Sequence, residues 1–316
     1  MLMGKQYAQP PVAAKSDSVP SYSRPMRRAR FSRRELGRLV GGLLLAAPRF
    51  APAASVARKR HVTLGVQSYS LRDRPLDQAI AAMAQVGFAT CELWQGHVEP
   101  QKVEREALRR WRLETPLALF RDLGAKFRQA KVPLCAYNYS FKDDFQDAEI
   151  ERGFVIANAL GVDMITASAN QKVVARVAPL ARKHRMRVGL HNHSKIDPDE
   201  FATPDDFERA LSAPGHEWIA VNLDIGHFTA ANFDALAFLR KHAGRLATLH
   251  IKDRKRDDGP AVPFGTGDAP IKPVLQWVRD HGAAIPANVE YEYDGTDTLD
   301  ELRRCRSFCQ QALGEV

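Results

Sequence analysis

Between residues 62 and 313 the chain repeats one unit eight times: a short apolar, β-branched segment, then a longer stretch whose apolar residues recur at helical spacing. Short apolar runs alternating with amphipathic helices pair as parallel strands joined by crossovers, and eight such units can close into a barrel. The expected strands are Val62–Gln67, Ala89–Leu93, Pro133–Tyr137, Met164–Ala167, Arg187–His191, Ala220–Asp224, Ala247–Ile251 and Asn288–Tyr293. Helical patterns cover Leu76–Gln85, Phe145–Leu160, Lys172–His184, Phe233–His242, Ile271–His281 and Thr298–Leu313. Gly87, Gly161, Gly244 and Gly282 read as helix stops, and Thr115-Pro116 and Thr203-Pro204 as helix starts. A longer insertion, Glu99–Glu114, follows the second strand. A doubly wound open sheet would want a Gly-rich phosphate turn after its first strand, and Gly65-Val66-Gln67-Ser68-Tyr69 is not one. The expected fold class is therefore α/β, a single-domain (β/α)8 TIM barrel over residues 58–316, close to the ~250 residues typical of that architecture.

Charge separates the first 57 residues from the rest. The chain carries a net +9, but residues 1–57 hold ten basic residues against Asp17 and Glu35, leaving 36 basic and 35 acidic residues after them. In this leader, Ser32-Arg33-Arg34-Glu35-Leu36-Gly37-Arg38 precedes a short apolar stretch, Leu39 to Ala47, and small residues ending Ser55-Val56-Ala57. The pattern resembles a twin-arginine export signal with a cleavage site before Arg58, which implies the twin-arginine export machinery as a partner and a periplasmic or exported location. The apolar stretch is far below the roughly 20 residues of a membrane span, so no stable span is expected. Cys91 and Cys135 lie in separate strands and Cys305 and Cys309 are four apart on one helix, which reads as buried thiols and not a zinc ribbon.

Reactive residues of such barrels sit where strands end, and four of the expected strands end in metal-ligand types. They are His191-Asn192-His193, Asp224-Ile225-Gly226-His227, His250-Ile251-Lys252-Asp253 and Glu290-Tyr291-Glu292. Period-two geometry points His191 and His193 to one face, and Glu290 and Glu292 likewise. Burying so many ionisable groups at one barrel mouth costs several kcal/mol each unless a partner such as a divalent cation offsets it.

The segment Asn222-Leu223-Asp224-Ile225-Gly226-His227, followed by His250-Ile251-Lys252-Asp253 and Glu290, resembles the xylose-isomerase-like sugar isomerase/epimerase superfamily. Val66-Gln67-Ser68-Tyr69-Ser70-Leu71-Arg72, Glu92-Leu93-Trp94-Gln95-Gly96-His97 and Phe264-Gly265-Thr266-Gly267-Asp268 add to it. The resemblance implies one divalent ion held by His191, Asp224, His250 and Glu290. Two imidazoles and two carboxylates suit manganese, zinc, cobalt or iron better than magnesium. It further implies proton abstraction beside a sugar carbonyl through an enediolate, with Glu290 as base, Glu292 as its fallback, and Lys252 or Arg254 at a developing oxyanion. His227, as pocket residue or outer ligand, His193, His97, Glu92 and Asn138 are candidate partners for sugar hydroxyls. Tyr69, Trp94, Tyr137 and Tyr139 are candidate stacking faces. His191 stands where the sugar epimerases of this superfamily usually carry a Glu that is both ligand and second base.

The expected substrate is a small, non-phosphorylated sugar or keto-glycoside, and a homo-oligomer is compatible. A lyase acting on 3-keto-glycosides and an inactive sugar-binding barrel are the alternative readings. Endonuclease IV-like DNA repair enzymes share the fold, but the near-neutral charge after residue 57 offers nucleic acid little attraction.

Overall fold

The computed structural model describes residues 61–315. Eight parallel strands form a closed barrel in sequence order: β1 (Leu64–Gln67), β2 (Thr90–Trp94), β3 (Leu134–Asn138), β4 (Met164–Ala167), β5 (Arg187–His191), β6 (Ile219–Asp224), β7 (Leu246–Ile251) and β8 (Ala287–Val289). β8 closes on β1 through Leu64 with Ala287, Gly65 with Asn288 and Val66 with Val289.

Among the described residues, ten helices connect and cover the strands: α1 (Leu76–Val86), α2 (Arg105–Glu114), α3 (Leu117–Gln129), α4 (Asp147–Leu160), α5 (Val174–His184), α6 (Pro204–Ser212), α7 (Ile225–Ala230), α8 (Ala235–Lys241), α9 (Ile271–His281) and α10 (Thr298–Leu313). The core lies between this layer and the strands, with Val66, Leu93, Ile165, Val188, Leu223, Leu249 and Val289 fully or almost fully buried. No helix of the described residues is long and apolar enough to cross a membrane, and the four cysteines are free thiols.

Helix punctuation follows the sequence in most places. Thr203 builds a capping box with Asp206 at the start of α6. Gly87, Gly161 and Gly282 end α1, α4 and α9 in the left-handed conformation that a Cβ would disfavour.

Three expectations are corrected. Most of the insertion is itself a helix, α2, and Thr115 closes it by donating Oγ1 to the Trp111 carbonyl, so α3 starts at Leu117, with Pro116 as its N-cap and no side-chain cap. Gly244 falls within a short 3-10 turn, because α8 already ends at Lys241, with His242 as its C-cap. β8 stops at Val289, not Tyr293: β1 turns into a 3-10 helix at Ser68 and leaves no strand to pair, and Ser70 Oγ accepts the Tyr291 N–H instead. Glu290 and Glu292 therefore stand on irregular backbone just past the barrel wall.

Candidate functional site

Strands β5 to β8 bring His191, Asp224, His250 and Glu290 together, with one ligand atom of each within 4.8 Å of the others. All four residues are buried. His191 Nδ1, Asp224 Oδ2, His250 Nδ1 and Glu290 Oε2 are shielded from solvent; His191 Nδ1 has no hydrogen-bond partner, and the other three have only the cluster's own charges beside them, His250 Nδ1 lying 2.9 Å from Glu290 Oε2 and Lys252 Nζ beside both carboxylates. Buried ligand atoms with no partner outside their own cluster are uncommon, since each carries a desolvation cost. Four of them converging, two imidazole nitrogens and two carboxylate oxygens, fit a divalent cation.

The remaining atoms of these residues are committed elsewhere, which aims the free ones. Asp224 Oδ1 accepts the His227 N–H as the N-cap of α7. Its backbone is tied to β5 by reciprocal bonds with Asn192, at 3.0 Å each way. His250 Nε2 lies 2.9 Å from Glu92 Oε1, which leaves Nδ1 for the cluster. Gly226 is required in the strand-six motif because a Cβ there would stand 2.7 Å from the Lys252 carbonyl and 2.9 Å from its Cβ.

Lys252 supplies the cluster's positive charge, its buried Nζ lying 2.6 Å from Glu292 Oε2, 2.9 Å from Glu290 Oε2 and 3.1 Å from Asp224 Oδ2. Burial would lower the lysine pKa, but these carboxylates outweigh it and raise it. Burial would likewise raise Glu290, and the charges of Lys252 and His250 hold it well below the usual range. For Asp224 burial wins, pushing the carboxyl up to about 6. Burial also holds His191 and His227 well below their ordinary range, and so neutral.

Above the cluster opens a cavity of about 310 Å³, small for a ligand pocket. Gln67, Tyr69, Trp94, Asn138, Ser140, Ser168, His193, His227 and Glu292 line it beside three of the four cluster residues, His191, His250 and Glu290. His193 Nδ1 is braced by Glu200 at 3.0 Å. Tyr69, Trp94, Asn138, His193, His227 and Glu292 thus sit where the sequence put them, at the mouth.

Other expected sugar contacts lie elsewhere. His97 is outside the lining, its ring nitrogens 3.0 Å from Ser68 Oγ and 3.2 Å from the Leu71 carbonyl. Glu92 points into the barrel interior and receives Gln67, Thr166 and Asn288 side chains at 2.6–3.0 Å. Tyr137 and Tyr139 stack on each other in the core, and Tyr139 donates to the Glu149 carbonyl on α4. Alternation along the chain sends both outward to the helices and leaves Asn138 to face the mouth. Arg254 lies outside the lining, bound to the His227 ring.

Two groups of supporting residues went unrecognised in the sequence: Asn192, and the interior polar layer of Gln67, Thr166, Asn222 and Asn288 around Glu92. Single polar residues inside otherwise apolar strands were the available signal.

A family model described as a xylose isomerase-like TIM barrel matches residues 80–308. An inosose dehydratase from Clostridium tetani (strain Massachusetts / E88) is 19% identical over 277 residues, covering 76% of this chain and 90% of the relative. Among solved structures, an L-ribulose 3-epimerase superposes with a TM-score of 0.61 at 15% identity, over 80% of this chain and 95% of that one. A 3-keto-D-glucoside 4-epimerase from E. coli does so with a TM-score of 0.60 at 12% identity, over 79% of this chain and 100% of that one. At these identities the structural likeness is one of fold.

Proposed function

The chain belongs to the xylose isomerase-like TIM barrel family, and from that premise we propose that it is a divalent-metal-dependent enzyme that removes a proton beside the carbonyl of a non-phosphorylated ketosugar, as an isomerase or epimerase. The observation that carries this reading is the convergence of four buried ligand atoms on His191, Asp224, His250 and Glu290, with no partner outside the cluster, next to a small polar cavity. Their two nitrogens and two oxygens favour manganese, zinc, cobalt or iron over magnesium. A bound ion of this kind polarises a sugar carbonyl and acidifies the neighbouring C–H.

Glu290, held ionised beside Lys252 and His250, takes the α-proton. The C–H electron pair becomes a C=C bond, and the carbonyl π pair moves onto oxygen, where the Lys252 charge stabilises it. Placing a proton on the other carbon, while the neighbouring hydroxyl proton passes to the enediolate oxygen, isomerises the sugar, and placing one on the other face of the same carbon epimerises it. Asn138, His193 and His227 hold hydroxyls, and Tyr69 and Trp94 offer ring faces. Similarity to a 3-keto-D-glucoside 4-epimerase supports a ketosugar substrate.

A second reading keeps these residues and ends in elimination, with loss of a glycosidic oxygen in place of reprotonation. His191 favours it. As a neutral ligand it offers no second base, and Glu290 and Glu292 leave the same segment, so both serve one side of the substrate. Similarity to a dehydratase agrees with this outcome. Export by the twin-arginine route belongs to the proposal and rests on the sequence of residues 1–57 alone, which lie outside the described residues.

Elemental analysis and NMR in deuterium oxide test the proposal. About one divalent ion per chain is expected, with solvent deuterium appearing at the α-carbon of a ketosugar or elimination from a 3-keto-glycoside. Several tightly bound ions, or a metal-loaded protein that neither exchanges nor eliminates, would overturn it.

A further inference from the structure

The connection after β2 carries an extra helix, α2, before α3, and this insertion borders a second cavity of about 230 Å³. Connections that leave the C-terminal ends of barrel strands build the face where substrates bind. Trp94, the last residue of β2, lines both this cavity and the one above the metal-ligand cluster. Neither space is large. Ligand pockets run from roughly 300 to 1,000 Å³; the mouth cavity, at about 310 Å³, stands at the lower limit and the second falls below it. A ligand that reaches across Trp94 occupies both.

The shared wall is held in place from several sides. The Trp94 backbone N–H donates to Ser68 Oγ at 2.8 Å, and the indole meets the Tyr69 and His97 rings edge to face, with centroids 5.0 and 5.5 Å away. Gly96 completes the pose, because a Cβ there would stand 2.2 Å from the indole. Gln95 ties the two cavities together: its Oε1 accepts the N–H of Ser140 in the mouth lining at 2.7 Å, and its Nε2 reaches Glu99 Oε2 in the second at 3.3 Å. Gln101 gives its Nε2 hydrogens to the Gly96 and Glu99 carbonyls at 2.9 and 3.0 Å, and its Oε1 accepts from no described residue. The buried charges bordering the space, Glu99 and Arg112, pair with each other at 2.7 Å, and Lys102 is exposed to water. An indole, two amides and the apolar side chains of Val103 and Leu108 are thus set around a space with no unpaired buried charge.

We infer that the insertion after β2 forms a second subsite, which takes a neutral, polyhydroxylated ring joined by a glycosidic bond to the ketosugar in the mouth. The indole offers the C–H face of such a ring an apolar wall, and the free Gln101 Oε1 accepts from its hydroxyls. The substrate is then a keto-glycoside whose aglycone is itself a sugar, and not a free monosaccharide. This assignment rests on the proposed function for the ring in the mouth, and both of its outcomes, epimerisation and elimination, admit it.

Two probes test it: methyl 3-keto-α-glucoside, which fills the mouth alone, and 3-ketotrehalose, which carries glucose as its aglycone. Their dissociation constants are measured by calorimetry on the zinc-loaded full chain bearing Glu290→Gln, so that neither is consumed. 3-Ketotrehalose is expected to bind on the order of ten-fold more tightly, the increment of one ring against an aromatic face. Val103→Trp, which fills the second cavity from an exposed position, should abolish most of that preference, and Gln101→Ala part of it. Equal affinity for the two probes overturns the inference, as does a preference that survives both variants. Binding of neither probe overturns it together with the ketosugar reading. The expected preference in a protein that, with Glu290 restored, neither exchanges nor eliminates from either compound would count against the proposed reaction alone.

Discussion

Two clusters of buried charge lie in this barrel, and they are built to opposite rules. Where the insertion helix α2 meets α4, Arg112 grips both oxygens of Glu99 at 2.7 Å and reaches Glu149 Oε1 at 2.7 Å, while Arg105 takes both oxygens of Glu149 at 2.9 and 2.7 Å. Each carboxylate oxygen there meets a guanidinium N–H, and the Arg112 charge also lies over the Tyr139 and Phe145 rings. At the ends of β5 to β8, the cluster of His191, Asp224, His250 and Glu290 is buried as deeply, yet its four ligand atoms converge on one another beside the single Lys252 ammonium, and His191 Nδ1 has no partner. A network that satisfies itself braces the scaffold. One whose ligand atoms converge on a single point, short of partners of their own, is shaped for a guest.

The sharpest way to break this contrast is Glu290→Gln. Exchange at the substrate α-carbon should fall on the order of 10³-fold, about 4 kcal/mol of barrier, with the ion and the fold retained. Isotope-exchange NMR with elemental analysis checks it, and exchange at the wild-type rate would move the base elsewhere.

Arg112→Met should do the reverse. It leaves Glu99 unpaired while Glu149 keeps Arg105, so the low end of the cost of breaking a buried pair applies, about 3 kcal/mol in urea unfolding. Metal content per folded molecule should not change. If the ion is lost with Arg112, the two clusters are not independent.

Zinc sharpens the comparison from the other side. At a free concentration ~100 times its dissociation constant it should stabilise the wild type by about 2.7 kcal/mol. The same increment is expected in Arg112→Met, and none in His250→Ala. Thermal unfolding with and without zinc would show whether the increment follows the mouth cluster.

The smallest effect is in the acid range. Burial would raise the Glu149 pKa, but Arg105 and Arg112 hold it below the ordinary value. A carboxyl depressed in the folded state contributes its full stability above its unfolded pKa of about 4.3, and loses it as pH falls through the lower folded value. The stability gap between wild type and Glu149→Gln should therefore narrow between about pH 5 and pH 3. Burial raises Glu99, so that residue acts in the opposite sense and keeps the wild type's own pH dependence shallow. A gap that stays constant on acidification would mean that Glu149 is not held by its arginines.

The mouth cluster was legible in the sequence because each of its members ends, or immediately follows, a strand pattern, and a parallel barrel brings strand ends together. The brace was not. Glu99 and Arg112 fall in a stretch read as an insertion, and Glu149 on a helix 37 residues beyond Arg112, where it reads as ordinary surface charge. Glu92 and Arg254 show the same limit at the site. Both are near the expected place, but Glu92 points below the mouth and Arg254 turns toward His227.

From the sequence alone came the eight strand-and-helix units, the barrel they close, and the four residues whose atoms converge. These depend on local periodicity and on which elements follow which, both written along the chain. Tertiary structure alone decided where β8 stops, which polar side chains face inward beneath the cluster, and which ring nitrogen of His227 faces an arginine. Those outcomes depend on directional hydrogen bonds between residues as far apart as Glu92 and Asn288, and no periodic pattern specifies a direction until both partners are in place.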